Sequence, residues 1–170
     1  MFTPFARLSL LVLCIILSTL GAIYNIWPLL IISTLFSILI LWGYYRNGTV
    51  YLALNKTRKN QFEKATSLLD QIKNPDRLNK SNRSYYYFIR GIIAHEENQF
   101  EASKVCLQES LSIGIKNESD RAMALLALAD MELVEKKTDA AKVYFLQLKN
   151  LKVNKALMPS IRKMQEWLGV

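Results

Sequence analysis

The N-terminal part of the chain is a long apolar region without charge. No charged residue occurs from Leu8 to Tyr45. Two stretches, Leu8–Ile26 and Pro28–Tyr45, would each be about 27 Å long or more as a helix, because a helix rises about 1.5 Å per residue. That length crosses the hydrocarbon core of a bilayer. The pattern therefore predicts two transmembrane helices, which form a hairpin over residues 1–46.

The connection between the two apolar stretches is short and suits a tight turn. Pro28 interrupts helix continuity, and Tyr24 and Trp27 are residues favoured at a membrane interface. A cleaved signal peptide is the competing interpretation of the first stretch, but Arg7 is the one N-terminal charge and no A-x-A-like cleavage site precedes the second stretch. The hairpin is therefore the favoured interpretation.

Small residues form a stripe on each predicted transmembrane helix and place the two helices in register. Counted outward from the turn, Ser18 is level with Ser33, and Cys14 is level with Ser37. Small side chains at facing positions allow two helix backbones to approach closely in lipid. The alternative is that these are ordinary small residues of lipid-facing helices.

Charges flanking the hairpin predict its orientation. Arg7 precedes it and Arg46 and Lys56 follow it, whereas the connecting turn is uncharged. By the positive-inside rule both termini face the cytoplasm, so we expect a membrane location, the bacterial inner membrane, with the rest of the chain cytoplasmic. A lumenal or periplasmic scaffold is the alternative if this orientation is wrong.

The remainder of the chain contains an internal repeat with a period of 38 residues. The segment FEKA at 62–65 recurs as FEAS at 100–103, and a second shift of 38 leads to TDAA at 138–141. Small and large residues keep the same register. The matching positions are Ala53, Gly91 and Ala129 (small), Ala65, Ser103 and Ala141 (small), and Leu69, Leu107 and Phe145 (large and apolar).

Each repeat unit reads as a pair of helices separated by polar turns. Breaker-rich stretches at 73–76 and 114–117 divide the units, and Asn60 and Asn98 lie in turns within a pair. The predicted first helices are Thr49–Lys59, Ser84–Asn98 and Ser119–Lys136, and the predicted second helices are Phe62–Ile72, Phe100–Ile113 and Asp139–Leu151. The fold class predicted is all-α.

Residues 47–152 resemble the tetratricopeptide repeat family. The resemblance rests on Tyr87 followed by Gly91, on Leu125 followed by Leu128 and Ala129, and on the FEKA, FEAS and TDAA segments. Two features depart from the family: the period is 38 where about 34 is usual, and Ala53 replaces the glycine expected in the first unit. The resemblance implies a three-unit stack whose first helices line a concave protein-binding groove.

The chain end reads as one more helix, over residues 153–170, that caps the last unit. Pro159 suits the first turn of such a helix. The expected apolar stripe consists of Ile161, Met164, Trp167 and Leu168. Terminal caps of this kind keep repeat arrays soluble.

Charge limits the classes of partner. Residues 49–170 contain 20 Lys and Arg against 14 Asp and Glu, a net charge of +6 that we expect to be scattered over the surface. Such an excess can favour an anionic membrane surface. It does not predict a specific nucleic-acid site.

The segment His95-Glu96-Glu97-Asn98-Gln99 superficially resembles the HExxH helix of zinc peptidases. Such a helix needs a second histidine one turn after the first, but Gln99 occupies that position and His95 is the one histidine of the chain. There is no glycine-rich phosphate loop, and Cys106 has no plausible base partner in its unit. The sequence predicts no enzyme activity, no cofactor and no metal site.

The resemblance places a mainly apolar set of side chains in the groove: Tyr85, Phe88, Ile92, His95, Met123, Leu126, Asp130 and Val134. We expect a membrane-anchored interaction scaffold or adaptor that binds another protein there, as an accessory or assembly subunit of a membrane complex, with the lipid bilayer as the hairpin's partner. The alternative function is a chaperone-like factor that holds apolar segments of membrane or exported clients. A third interpretation is that the C-terminal helix or a neighbouring unit covers the groove.

Overall fold

Every secondary-structure element among the described residues is helical. A computed structural model describes residues 16, 18–21, 23–24, 27–148 and 151–169, and at 29–30 and 39–48 it describes the backbone only. The predicted all-α fold class is therefore confirmed for this part of the chain.

Seven α-helices and two short 3₁₀ turns follow one another from residue 27 onward in the described chain. The α-helices are α1 (Trp27–Thr57), α2 (Phe62–Asp70), α3 (Lys80–Glu96), α4 (Phe100–Ile113), α5 (Glu118–Val134), α6 (Thr138–Leu146) and α7 (Met158–Leu168). The 3₁₀ turns are Pro75–Arg77 and Lys155–Leu157. Both 3₁₀ turns precede an α-helix, and an asparagine side chain caps each of them, Asn74 the first and Asn154 the second.

The chain divides into two compact units, Met1–Thr49 and Val50–Val170. The boundary falls inside α1, which continues without a break from Trp27 to Thr57. The prediction of a separate first repeat helix that begins at Thr49 is therefore wrong. The physical reason is that the segment around Gly48 contains no proline, and a lone glycine costs a helix only about 1 kcal/mol.

In the N-terminal unit the hydroxyl groups of Ser18 and Ser33 lie 2.7 Å apart, which is the pairing that the small-residue register predicts. Many of the described apolar side chains in this unit are exposed: Ile16, Leu20, Ile23, Tyr24, Trp27, Ile31, Ile32, Leu35, Phe36 and Ile38. Among the residues and side chains that the structure describes, no helix is both long enough and apolar enough to span a bilayer. Parts of the two predicted spans, Leu8–Ile26 and Pro28–Tyr45, lie outside the described residues: 8–15, 17, 22, 25, 26 and the side chains at 29–30 and 39–45.

The turn inside each helix pair has the same backbone geometry in all three units. Asn60, Asn98 and Lys136 are spaced by 38 residues and adopt positive φ values of 55°, 60° and 62°. In each turn the next residue donates its N–H to a carbonyl five residues earlier, as Gln99 does to Ala94 at 2.8 Å. This is the Schellman arrangement, in which a left-handed residue ends a helix and satisfies its last carbonyls.

Small residues let the two helices of a pair pack closely. The six small residues at the matching positions, Ala53, Gly91, Ala129, Ala65, Ser103 and Ala141, are all buried. The central pair shows the contact most clearly, because a Cβ atom built on Gly91 would lie 2.6 Å from Cγ of Leu107. The Ser103 hydroxyl donates a hydrogen bond of 2.8 Å to the Gly91 carbonyl. The small and large residues that recur every 38 positions are therefore the residues at which the two helices of a pair pack together.

The C-terminal helix α7 packs on the third unit. Met164 and Leu168 are buried in one apolar cluster with Leu125 and Phe145, and Ile161 lies partly buried beside them. Pro159 lies in the first turn of α7, as the sequence predicts. Trp167 was expected in the same apolar stripe, but its side chain is 56% exposed. Trp167 is exposed because it lies about 100° around the helix from the buried Leu168.

Replacing Gly91 with alanine should destabilise the protein. An alanine Cβ must displace Leu107, and overpacking of this kind typically costs about 1 to 3 kcal/mol. Thermal unfolding followed by circular dichroism measures the effect. A glycine-to-alanine change inside an uncrowded helix would instead stabilise by up to about 1 kcal/mol, so a raised melting temperature would contradict the close contact.

Replacing Lys136 with glycine should stabilise the protein by about 1 kcal/mol, because glycine adopts the left-handed conformation without the steric cost that a lysine incurs. Lys137→Gly is the comparison: it removes a lysine at a residue whose φ is −93°, together with the ion pair between Lys137 and Glu135 at 2.8 Å. The control should not gain stability. Equal effects of both variants on chemical denaturation would contradict the proposed turn geometry.

Candidate protein-binding surface

The structure divides the predicted groove residues into buried and accessible side chains. Phe88, Ile92 and Leu126 are 2%, 3% and 8% exposed. Phe88 and Ile92 belong to the main apolar core, which includes residues of all three units, whereas Leu126 belongs to the apolar cluster of the third unit and α7. These three side chains hold the helices together and do not face an open groove.

The remaining five predicted groove residues lie on α3 and α5 and reach the surface. We call them the α3–α5 face: Tyr85, His95, Met123, Asp130 and Val134. Met123 and Val134 are exposed, at 38% and 57%. They are eleven residues apart, which is slightly more than three helical turns, so both lie on the same side of α5 about 16 Å apart, with Asp130 between them.

His95 forms the polar centre of the α3–α5 face with Asp130. Its Nε2 atom lies 3.2 Å from an Asp130 carboxylate oxygen, and the two side chains are 22% and 37% exposed. The Phe100 ring packs beside the imidazole at 6.1 Å between centroids. The pair links the first helices of units two and three, so the histidine of the HEENQ segment has a structural partner.

A second polar network joins the first helices of all three units, and the sequence did not reveal it. Arg58 donates two hydrogen bonds to the Asp120 carboxylate, at 2.9 and 2.8 Å. The Tyr85 hydroxyl donates a third to the same carboxylate at 3.0 Å. The Asp120 side chain is only 9% exposed, so these donors replace the water that its charge would otherwise bind. Both bonds come from the same guanidinium nitrogen, Nη2, and charge-assisted hydrogen bonds of this kind are stronger than neutral ones.

The contact with Asp120 affects the pKa of Tyr85. Burial of the ring, together with the negative charge of Asp120, raises the pKa of the Tyr85 hydroxyl to about 12. The phenol therefore stays protonated, and stays a donor to Asp120, well above the pH at which a free tyrosine ionises. At one end of the α3–α5 face the aromatic ring of Tyr85 also packs edge-on against the buried Phe88, at 6.1 Å between centroids.

A third polar cluster lies between units two and three, at the back of α5. Lys104 forms ion pairs with Glu132, at 3.1 Å, and with Glu135. Burial opposes the charge of Lys104, but its hydrogen bonds to Glu135 and Glu132 outweigh that effect and raise the pKa of the ammonium group. Glu132 occupies the position that Ala94 holds one unit earlier, so a charge at a buried repeat position was the signal available in the sequence.

Potential metal ligands are dispersed among the described residues. No three His, Cys, Asp or Glu side chains in this part of the chain lie close enough together to hold a metal ion. Cys106 is half-buried, and burial raises the pKa of its thiol, which disfavours the reactive thiolate. The chemistry available at the α3–α5 face is that of binding: apolar contact at its two ends and a carboxylate at its centre.

A scan against protein-family models and searches of curated proteins and of solved structures found no match to this chain. The function is therefore argued from the α3–α5 face itself.

Tyr85 should make the stability of the domain depend on pH in the alkaline range. In the unfolded chain the hydroxyl ionises near pH 10, whereas in the folded protein it holds its proton until about pH 12. A pKa that is raised by folding gives stability that is complete below pH 10 and is lost as the pH rises to 12.

Equilibrium urea unfolding at several pH values, with Tyr85→Phe as the comparison, measures this loss. The difference in unfolding free energy between the two proteins should shrink between pH 10 and 12. The comparison removes the contributions of Lys and of the other tyrosines, which both proteins share. A difference that is constant over that range would contradict the Tyr85–Asp120 bond.

Proposed function

We propose that this protein is a membrane-anchored interaction scaffold that binds another protein through the α3–α5 face, as an accessory or assembly subunit of a membrane complex. The observation that carries the proposal is the side-chain arrangement on α5. Met123 and Val134 are apolar, exposed and on one side of the helix, and the Asp130 carboxylate lies between them. A partner helix can place apolar side chains of its own, spaced by whole helical turns, against such exposed apolar positions.

The chemistry of the surface indicates what the partner segment should contain. Apolar residues about three helical turns apart would reach Met123 and Val134, and a lysine or arginine between them would face Asp130. We therefore propose an amphipathic helix with a basic residue on its apolar side as the partner element. A polar network also supports a preformed surface, because Asp120 of α5 accepts hydrogen bonds from Tyr85 of α3 and from Arg58, which directly follows α1.

We further propose that the repeat units are of the tetratricopeptide type. The equal turns at Asn60, Asn98 and Lys136 and the buried small residues at the same spacing support this assignment. The period of 38 residues, longer than usual for that family, then reflects the connections between pairs. The 3₁₀ turn Pro75–Arg77, which lies between the first and second units, is one such longer connection.

We propose that the N-terminal unit anchors the scaffold in a membrane, with the repeat units on the cytoplasmic side. The support is its surface, where Ile23, Ile31, Ile32 and Leu35 are 60 to 75% exposed. Contiguous exposed apolar side chains are unfavourable in water and mark a site for lipid or for another protein. The charge distribution around residues 8–45 supports the orientation.

Replacing Met123 and Val134 together with aspartate should abolish recovery of the partner. Both side chains are exposed, so the charges should remove apolar contact without unfolding the core. The experiment is isolation of the full-length protein in mild detergent after crosslinking in intact membranes, followed by mass spectrometry. Binding should fall by at least about tenfold, which corresponds to about 1.4 kcal/mol.

The matched control is Val105→Asp with Val143→Asp. These valines are 66% and 58% exposed and lie on the second helices of units two and three, at equivalent repeat positions. The control should retain the partner. Loss of the partner in both variants, or in neither, would place the interface away from the α3–α5 face. Recovery of many weakly bound clients in place of one partner would favour the alternative function, a chaperone-like factor that holds apolar segments.

Anchoring is tested separately by alkaline carbonate extraction of membranes, with proteolysis of sealed vesicles. We expect the full-length chain to stay in the pellet, and a protease added outside right-side-out vesicles to leave the Asn74–Pro75 connection intact. Release of the protein into the supernatant would overturn the anchor, and cleavage from outside would overturn the orientation.

A further inference from the structure

The positive charge of the repeat region is concentrated at its C-terminal end, contrary to the scattered distribution expected from the sequence. Residues 49–141 contain 14 Lys and Arg and 13 Asp and Glu, a net charge of +1. Residues 142–170 contain 6 Lys and Arg and 1 Asp or Glu, a net charge of +5. The last 29 residues of the sequence therefore carry +5 of the net charge of +6 that residues 49–170 carry.

Most of these basic side chains are accessible, and the backbone that bears them is fixed. Lys152, Lys155, Arg162 and Lys163 are exposed. The Lys152 N–H donates a hydrogen bond of 2.6 Å to the Glu118 carboxylate. Two residues later, the Asn154 N–H donates to the Ser119 hydroxyl at 3.0 Å, so the segment is held on the start of α5.

Two large apolar side chains lie among these charges. Met158 is 41% exposed and Trp167 is 56% exposed. Met158 and Arg162 are four residues apart, as are Lys163 and Trp167, so each apolar residue has a basic neighbour on the adjacent turn of α7. The Lys163 ammonium lies over the Trp167 ring, 4.6 Å from its centroid. Because they are nine residues apart, Met158 and Trp167 lie at opposite edges of the outward side of α7, about 180° apart, and the exposed Glu166 lies between them.

We propose that this C-terminal basic surface, defined by Lys152, Lys155, Arg162, Lys163 and Trp167, binds the anionic headgroup region of a lipid bilayer. Clusters of basic residues on an amphipathic helix are attracted to anionic lipids. Tryptophan favours the interface because its ring is amphipathic. The proposal does not rest on partner binding at the α3–α5 face.

The test uses the full-length chain with Trp27→Phe and Trp42→Phe, so that Trp167 is the one tryptophan. The protein is reconstituted in vesicles of phosphatidylcholine alone or of phosphatidylcholine with phosphatidylserine. The readout is quenching of Trp167 emission by brominated acyl chains, normalised to matching vesicles without bromine. Both vesicle types offer the same hydrocarbon, so the comparison does not depend on how the N-terminal unit meets the bilayer.

We expect quenching to be several-fold greater in the vesicles that contain phosphatidylserine, and to decline at high salt because the attraction is screened. Changing Lys152, Lys155, Arg162 and Lys163 to glutamine should reduce the response to phosphatidylserine by at least about tenfold. The matched control neutralises four other exposed lysines. These are Lys59, Lys64, Lys73 and Lys80.

The control should keep the response to phosphatidylserine, and circular dichroism should show both variants folded. Equal quenching in the two vesicle types would overturn the proposal, as would an equal loss in the control. Binding of a polyglutamate peptide to the same four residues, without quenching that depends on phosphatidylserine, would overturn it in favour of an acidic protein partner.

Discussion

The close contact between the two helices of each pair is the constraint on which the repeat region depends. At the centre of the domain α3 and α4 approach so closely that Gly91 has no room for a side chain beside Leu107. The helices can take this position because the turn between them ends the first helix with a left-handed residue, Asn98. Small residues and equal turns recur at the same spacing in the other two units, so one local solution is used three times.

This packing determines which side chains remain for binding. A stripe along each first helix points toward the neighbouring units, and most of its members are buried between them, as Phe88 and Leu126 are. Polar contacts at Asp120 and Asp130 then join the first helices at their edges. What remains accessible on α5 is a strip that includes Met123, Asp130 and Val134.

The sequence alone predicts the repeat, but it does not predict which side chains of the α3–α5 face are exposed. Periodic small and large residues predict the helix pairs, because close packing requires those sizes at those places, and Leu107 and Ser103 are buried where the 38-residue period puts them. Exposure of one side chain on a stripe depends on how far the units rotate against each other, which no local pattern records. The bond between Arg58 and Asp120 joins residues 62 positions apart, so only the folded chain brings them together. The continuity of α1 past Thr49 was likewise unexpected, since nothing in the pattern distinguished a long helix from two short ones.

Photo-crosslinking from single positions in intact membranes tests the central claim most directly. A photoreactive amino acid at Val134 lies on the α3–α5 face, and the same amino acid at Val105 lies on an exposed position of α4. The account predicts one abundant adduct from position 134 and none of that mass from position 105. The same adduct from both positions, or an adduct from position 105 alone, would contradict it.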